Sequence, residues 1–443
     1  MQNQGIRDAR SLGTPKLLVL GLQHMFAMFG ATVLVPALTG LSVSATLLFA
    51  GLGTLFFHFL TKGKVPAFLG SSFAYLAGYA AIAPNGETAL LPYACVGVAA
   101  SGLLYLILAA LVRGFGANRV MRFFPPVVTG PIIICIGMTL ANSAINNCTG
   151  SWDIALVAII TVVVFNIWGK GMLRIIPILL GVLVSYTYAA VTGRVDFSGV
   201  ASAAWIGLPV KMENTVFSLI GNCDVNLLVT AIIAIMPIAF ATMIEHIGDI
   251  CAISSTVGEN FIADPGLHRT LLGDGLATSI ASLFGAPANT TYGENTGVLA
   301  LTRVYDPLVI RLAAVYAIIA SFCPKFAALV SAMPTGTIGG VSLILYGMIS
   351  AIGVRNLVEN RVDLAKSRNV IVVSLIISLA LGITFSAAGA ITFHVGEFTL
   401  NFSGLAVAAI VGIVVNAILP GKDYNFQNDY EYGKTTEDHG QML

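Results

Sequence analysis

Charge is what this sequence has least of. Only 10% of its 443 residues are Asp, Glu, Lys or Arg, against about 25% in an average soluble domain. With 57% hydrophobic residues and a mean hydropathy of +0.89, a water-soluble globule is excluded. The net charge of +1 leaves no basic excess of the kind that draws nucleic acid. Paired cysteines are missing too: Cys95, Cys135, Cys148, Cys223, Cys251 and Cys323 form no CxxC and no regular spacing. That argues against a disulfide framework and a zinc site, and most of the six lie in apolar runs where cysteine acts as a small hydrophobe. There is no His-Glu-x-x-His, no Asp-Asp-x-x-Asp, no Gly-x-Ser-Gly and no Gly-rich phosphate loop. Neither an enzyme nor a cofactor or metal is expected, and uphill work would draw on an ion gradient and not on ATP.

What fills the chain is a series of fourteen apolar segments near the ~20 residues that cross a bilayer. Their limits are 17–38, 42–61, 66–83, 89–112, 124–146, 152–169, 175–192, 225–257, 268–285, 287–303, 307–323, 327–352, 369–389 and 402–419. Arg7, Arg10 and Lys16 precede the first segment without a cleavage site, so it reads as a retained span. With that end inside, the cytoplasmic face receives every Lys and Arg except Arg194, Lys211 and Lys325. This bias is the positive-inside pattern, and it places both termini in the cytoplasm.

Four carboxylates stand within these segments: Glu245, Asp249, Asp274 and Glu294. An ionised acid at mid-bilayer costs roughly 2.5–3.5 kcal/mol, so they must face protein or a water-filled cavity. Glu245 and Asp249 are four apart, on one helix face, where one shared proton is the natural state. Asp274 reads either as a lock on its neighbours or as part of a relay. His24 fits a proton relay, whereas His246 reads better as a hydrogen bond to a neighbouring helix.

The two halves echo each other. Gln23-His24 recurs as Glu245-His246, and Leu47-Leu48-x-x-Gly51-Leu52-x-Thr54 as Leu271-Leu272-x-x-Gly275-Leu276-x-Thr278. Pro66-Ala67 before Ser71-Ser72-Phe73 is matched by Pro287-Ala288 before Thr290-Thr291-Tyr292, and Pro125, Gly130 and Gly137-Met138 by Pro334, Gly339 and Gly347-Met348. The matches keep their order at offsets of 209 to 224 residues. Seven is odd, so the second copy would be inserted upside down, as in secondary transporters with a site between repeats. The expected fold is therefore an all-α polytopic membrane protein of about 14 transmembrane segments in two inverted seven-span repeats. Segments 66–83 and 287–303 are too rich in Gly, Ser, Thr and Asn for lipid-facing helix, and short extended strands are expected in these broken third and tenth spans.

Glu294-Asn295-x-Gly297-x-x-x-x-Thr302-Arg303 resembles the signature of the nucleobase–ascorbate transporter family, and Gln23-His24 resembles its first-span motif. The runs from Gln23 to Pro36 and from Asn289 to Asn295 are similar to the family's bacterial uracil permease branch. The resemblance implies a core domain (16–113 and 225–323) and a gate domain (114–192 and 324–420). It adds an external connection (193–224) and cytoplasmic tails (1–15 and 421–443). It implies proton-coupled uptake of uracil across the cytoplasmic membrane by a homodimer in membrane lipid, with an elevator-like motion. Carried over by position, Glu245 and Glu294 would bind uracil through their carboxylates, and Phe73 and Gly293 through backbone N–H groups. Ala31, Tyr292 and Tyr346 would line the pocket. Glu245, Asp249 and His24 would handle the proton, while Gln23, Asn295, Gly297, Thr302, Arg303 and Asp274 would serve as signature or structural residues. One departure stands out. Some uracil permeases of this branch carry histidine where this chain has Asp249, and purine-transporting relatives match this chain there. Xanthine is accordingly the alternative substrate, and an anion carrier of the same fold the rival. Carboxylates in the site would repel an anion. Pro125, Gly130, Pro334 and Gly339 are expected to let the gate slide closely on the core.

Overall fold

The computed structural model describes residues 5–395 and 398–422, so Lys434 and almost all of the expected 421–443 tail lie outside the described residues. Helix ends follow capping chemistry. Helix α1 (Thr14–Thr39) carries Pro15 in its first turn and stops at Gly40, whose φ of 79° turns the chain out. Ser42 caps α2 (Val43–Leu60) by accepting the Ala45 N–H at 3.2 Å. The chain then runs through strand β1 (Leu69–Ser71) into α3 (Leu76–Ile82), α4 (Leu91–Phe115) and α5 (Ala117–Met121). Next come α6 (Pro126–Cys148), α7 (Trp152–Trp168), α8 (Met172–Ile175), α9 (Pro177–Val191) and α10 (Ser198–Ser202). Asp224 caps α11 (Val225–Ile235) by accepting from Asn226 and Leu227, and Pro237 separates it from α12 (Ala239–Val257). The rest is α13 (Leu267–Leu283), β2 (Asn289–Thr291), α14 (Gly293–Thr302), α15 (Pro307–Ser321), α16 (Pro324–Ser331), α17 (Thr335–Glu359), α18 (Ser367–Thr384), β3 (Ala390–Val395), β4 (Phe398–Ser403) and α19 (Gly404–Ile418).

Among the described residues seven helices are long and apolar enough to cross a membrane, with α11 and α12 taken as one, and eight if α15 and α16, bent by 88°, form one crossing. Helices α7, α9 and α19 are apolar but shorter. The expected segment 327–352 needs correction. Residues 324–331 form α16, and α17 starts only after Pro334, because the residue before a proline is pushed out of the helical region. The antiparallel β3–β4 hairpin between α18 and α19 was also not expected.

The two interrupted segments meet. β1 and β2 pair antiparallel, with Leu69 opposite Thr291, Gly70 opposite Thr290 and Ser71 opposite Asn289, all buried. Ser72 N–H to Ala288 O (2.8 Å) and Tyr292 N–H to Phe68 O (3.0 Å) extend the ladder at each end. The outer edge of each strand is closed by a threonine. Thr54 Oγ1 accepts from Leu69 N–H at 2.9 Å and donates to Leu69 O at 3.3 Å. Thr278 Oγ1 does the same for Asn289, at 3.2 and 2.9 Å. Gly70 has to be glycine: a Cβ there would sit 2.3 Å from the Tyr292 ring.

Two groups of helices pack around this crossing. Helix α13 lies on α4 and α2, and α15 on α1 and α2; separately, α6 packs on α17, α18 and α19, and α7 on α9 and α17. Helix α12 touches both groups. The glycines expected to ease sliding between the groups do something else. A Cβ on Gly130 would meet Leu357 at 2.6 Å, one on Gly339 the Ala144 carbonyl at 2.8 Å, and one on Gly137 the Tyr346 carbonyl at 2.2 Å. They bring α6 and α17 into backbone contact within one group. At one end of the molecule the segment before α1 straps the helix ends. Ile6 bridges Val304, Ala9 N–H reaches Asp306 at 2.9 Å, and Arg7 pairs with Glu259. Beside it Lys64 holds the Asp264 carboxyl below the usual carboxylate range.

Thr54→Val and Thr278→Val each leave a strand N–H buried without a partner, which costs about 1–3 kcal/mol. Thermal unfolding of the purified protein should show a lowered midpoint for both, and no change for Thr187→Val, whose exposed hydroxyl only back-bonds its own helix at Leu183. Midpoints equal to the parent protein for both buried variants would rule out the clasp.

Candidate functional site

The crossing of β1 and β2 leaves the chain turning into α3 on one side and α14 on the other. The backbone N–H groups of Phe73 and Gly293, just past the strands, take no carbonyl partner among the described residues. Gly293 is exposed and begins α14, so its amide is one of the free donors of a helix N-terminus. Glu294 follows in the same first turn. Helix α12 packs against α14, β2 and α13 and brings Glu245 and Asp249 to this point. Glu245, Asp249, Asp274 and Glu294 lie close enough for their charges to act on one another. No Lys or Arg forms an ion pair with any of them among the described residues.

The four carboxylates differ in their local surroundings. Asp249 Oδ2 accepts from Thr291 Oγ1 at 2.7 Å, tying α12 to β2. Asp274 is fully buried, and its Oδ2 lies 3.0 Å from His246 Nδ1, itself fully buried. The rings of Phe57 and Tyr105 close around that histidine at 6.3 and 6.4 Å. Asp274 and His246 thus bring α13 and α12 to ion-pair distance in full burial. Glu245 and Glu294 make no hydrogen bond to another residue among the described residues, and both are only half-buried. These are the two acids left free for a ligand.

The other anticipated residues divide. Phe73 and Tyr346 meet edge-on, ring centroids 6.0 Å apart, across the boundary between the two helix groups. Ala31 is buried on α1, where Ser71 Oγ reaches the neighbouring Thr32 carbonyl at 3.0 Å. Tyr292 turns its hydroxyl to Ser71 O (2.9 Å), Ser71 Oγ (3.2 Å) and Thr32 Oγ1 (3.3 Å), bracing the crossing. His24 is buried on α1 against the residue next to Glu294. Asn295 Nδ2 donates to His24 O at 3.0 Å and to His24 Nδ1 at 3.2 Å, which leaves the neutral ring's proton on Nε2. Gln23 Oε1 is buried without a hydrogen bond among the described residues. Gly297 is on the open face of α14. Thr302 and Arg303 end that helix, about 13 Å from Glu294 along the axis. Arg303 adopts φ 54° there, and its carbonyl accepts from Ile6 N–H at 2.7 Å. Sequence reasoning missed Thr291 and Ser71 as partners of Asp249 and Tyr292. The hydroxyl-rich runs around both strands were the available signal.

A mostly helical bundle with two half-buried acids beside free amides, at a strand crossing between two helix groups, belongs to the class of multi-pass membrane transport proteins. The profile of a permease family matches residues 15–389, and the chain belongs to that family, the nucleobase–ascorbate transporters. It is similar to the uracil permease of Bacillus caldolyticus, 42% identical over 96% of each chain. That of Bacillus subtilis is 40% identical over 99% of this chain and 98% of the relative. That of Escherichia coli K12 is 38% identical over 90% of each. These relatives are permeases and not enzymes. Among solved structures, the transmembrane domain of the cyanobacterial bicarbonate transporter BicA superposes with a TM-score of 0.59 at 12% identity, covering 94% of this chain and all of that one. SLC26A9 gives 0.63 at 11% identity, over 92% of this chain and 66% of that one. At these identities the likeness is one of fold.

The Asp249–Thr291 bond can be separated from the charge that Asp249 carries. Asp249→Asn keeps an acceptor for Thr291 and should retain the unfolding midpoint. Asp249→Leu and Thr291→Val should each lose about 1–3 kcal/mol, and the double variant no more than either alone. Additive losses on thermal unfolding would show that the two residues act separately.

Proposed function

We propose that the protein is a proton-coupled symporter that imports uracil across the cytoplasmic membrane. The observation that carries this reading is the pair of acids without a partner residue, Glu245 and Glu294, on two helices that pack together, beside N–H groups of Phe73 and Gly293 that take no carbonyl partner among the described residues. Uracil offers two N–H donors and two carbonyl acceptors on one flat neutral ring. Ionised carboxylates only accept and amides only donate, so the two sets are complementary. The uracil permeases that this chain resembles support the same substrate. An anion would meet two carboxylates without a neighbouring cation, so the fold shared with anion carriers does not carry their chemistry with it.

In this reading Glu294 binds as an ionised acceptor, and Glu245, sharing a helix face with Asp249, binds and also exchanges the proton. His24 acts through Asn295 to set the start of α14, and Ala31, Tyr292 and Tyr346 shape the pocket wall. The chain crosses the membrane fourteen times as two inverted copies, with both termini cytoplasmic and two copies forming a dimer. The matched roles of Thr54 and Thr278 support the repeat. The first helix group and the crossing move as a core against the second group as a gate, and the Phe73–Tyr346 contact lies on the face where they part.

Glu294→Gln presents a donor to the ring N–H groups and should lower uracil affinity roughly five- to 150-fold, the equivalent of about 1–3 kcal/mol. Glu245→Gln imitates the protonated acid, so it should bind uracil but no longer accumulate it in proteoliposomes. Normal binding by the first variant, or uphill uptake by the second, would overturn these roles. Xanthine in excess should compete poorly; if it displaces uracil at equal concentration, the site is a purine site.

Uptake should stop when a protonophore collapses the proton gradient. Uptake that survives this treatment but stops when sodium is withdrawn would replace the proton with sodium.

A further inference from the structure

Away from the carboxylates, a cleft of about 500 Å³ opens between the two helix groups. Leu108 and Leu111 of α4 and Phe240 and Met243 of α12 form one wall, and Ile413 of α19 stands opposite. Its one polar lining residue is Arg119, on α5. Arg122 follows three residues later, on the same side of that turn, and Arg113 ends α4; all three are exposed. None of them forms an ion pair among the described residues, and no Asp or Glu occurs anywhere from residue 88 to 152. Phe115 and Phe123 stand beside the arginines, 59% and 49% exposed, as aromatic residues do at the level of lipid headgroups.

An apolar cleft open to the membrane takes hydrocarbon, and a cluster of uncompensated arginines takes an anion. Arginine in particular matches phosphate with its planar fork of donors. One molecule supplies both parts. We propose that this cleft binds an anionic phospholipid, with its phosphate on Arg119 and Arg122 and an acyl chain along Leu108, Leu111, Phe240 and Met243. The site bridges the two helix groups, since α4 lies on one side and α19 on the other, with α12 touching both.

The full-length purified protein can be titrated with phosphatidylglycerol or phosphatidylcholine of identical chains, with bound lipid read by native mass spectrometry and by thermal midpoint. Phosphatidylglycerol should remain bound and raise the midpoint, and phosphatidylcholine should not. Arg119→Ala with Arg122→Ala should weaken phosphatidylglycerol binding roughly 30-fold, about fivefold per arginine. Leu111→Trp, which fills the cleft and keeps the arginines, should weaken it as well. Soluble glycerol 3-phosphate should not compete. Equal binding of the two lipids, full binding by the double variant, or competition by glycerol 3-phosphate would overturn the proposal. So would a disulfide between two copies through Leu111→Cys, which would make the cleft a contact with a second chain.

Discussion

Hydrocarbon cannot hydrogen-bond a peptide group, so any backbone that leaves the helix at membrane depth must find its partners inside the protein. Two stretches of this chain leave the helix, at Leu69–Ser71 and Asn289–Thr291, and each supplies the other's missing partners. Neither could exist alone. Thr54 and Thr278 close the remaining edges, and Tyr292 reaches back to Ser71 and Thr32 to hold the crossing in place. Once the strands are satisfied, α14 begins directly after β2, and the amides of Gly293 and of Phe73, just past the two strands, are not used up by preceding backbone among the described residues.

The acids depend on the same arrangement. Glu294 has its position because α14 starts at Gly293, directly after β2, and Asp249 is held by a hydroxyl of β2 itself. Asp274 and His246 meet in full burial between α13 and α12, His246 being one residue along the chain from Glu245. Of four carboxylates, two are engaged in holding elements together and two are left open. That division assigns work among residues of one chemical type, and it arises from neighbours rather than from residue identity.

The likeness to BicA and SLC26A9 at 11–12% identity shows how far such a framework can be separated from its cargo. A strand crossing with two free helix starts offers donors to whatever enters. The side chains nearby then decide what that is. In the proposed reading of this chain that role falls to carboxylates, which favour a neutral molecule rich in N–H groups over an anion.

Much of this was legible in the sequence. Low charge and long apolar runs set the class, because hydrocarbon admits little else. The helices at Val43–Leu60, Pro126–Cys148 and Leu267–Leu283 fall within a few residues of the apolar segments. The polar, Gly-rich breaks marked both strands, and four acids in apolar segments stood out as groups that must face protein or a cavity. Other features needed the folded chain. The sequence could not tell that Gly130 and Gly339 join α6 to α17, since a glycine states that something approaches closely but not what. It could not name Thr291 as the partner of Asp249 or choose between the two readings of Asp274. The β3–β4 hairpin gave no warning between two apolar segments. Hydropathy and residue type are properties of single positions, and they determined where the chain lies and which groups are costly to bury. Which of those groups is satisfied depends on partners far away in the chain, 271 residues for Asn295 and His24, and only the tertiary structure decides that.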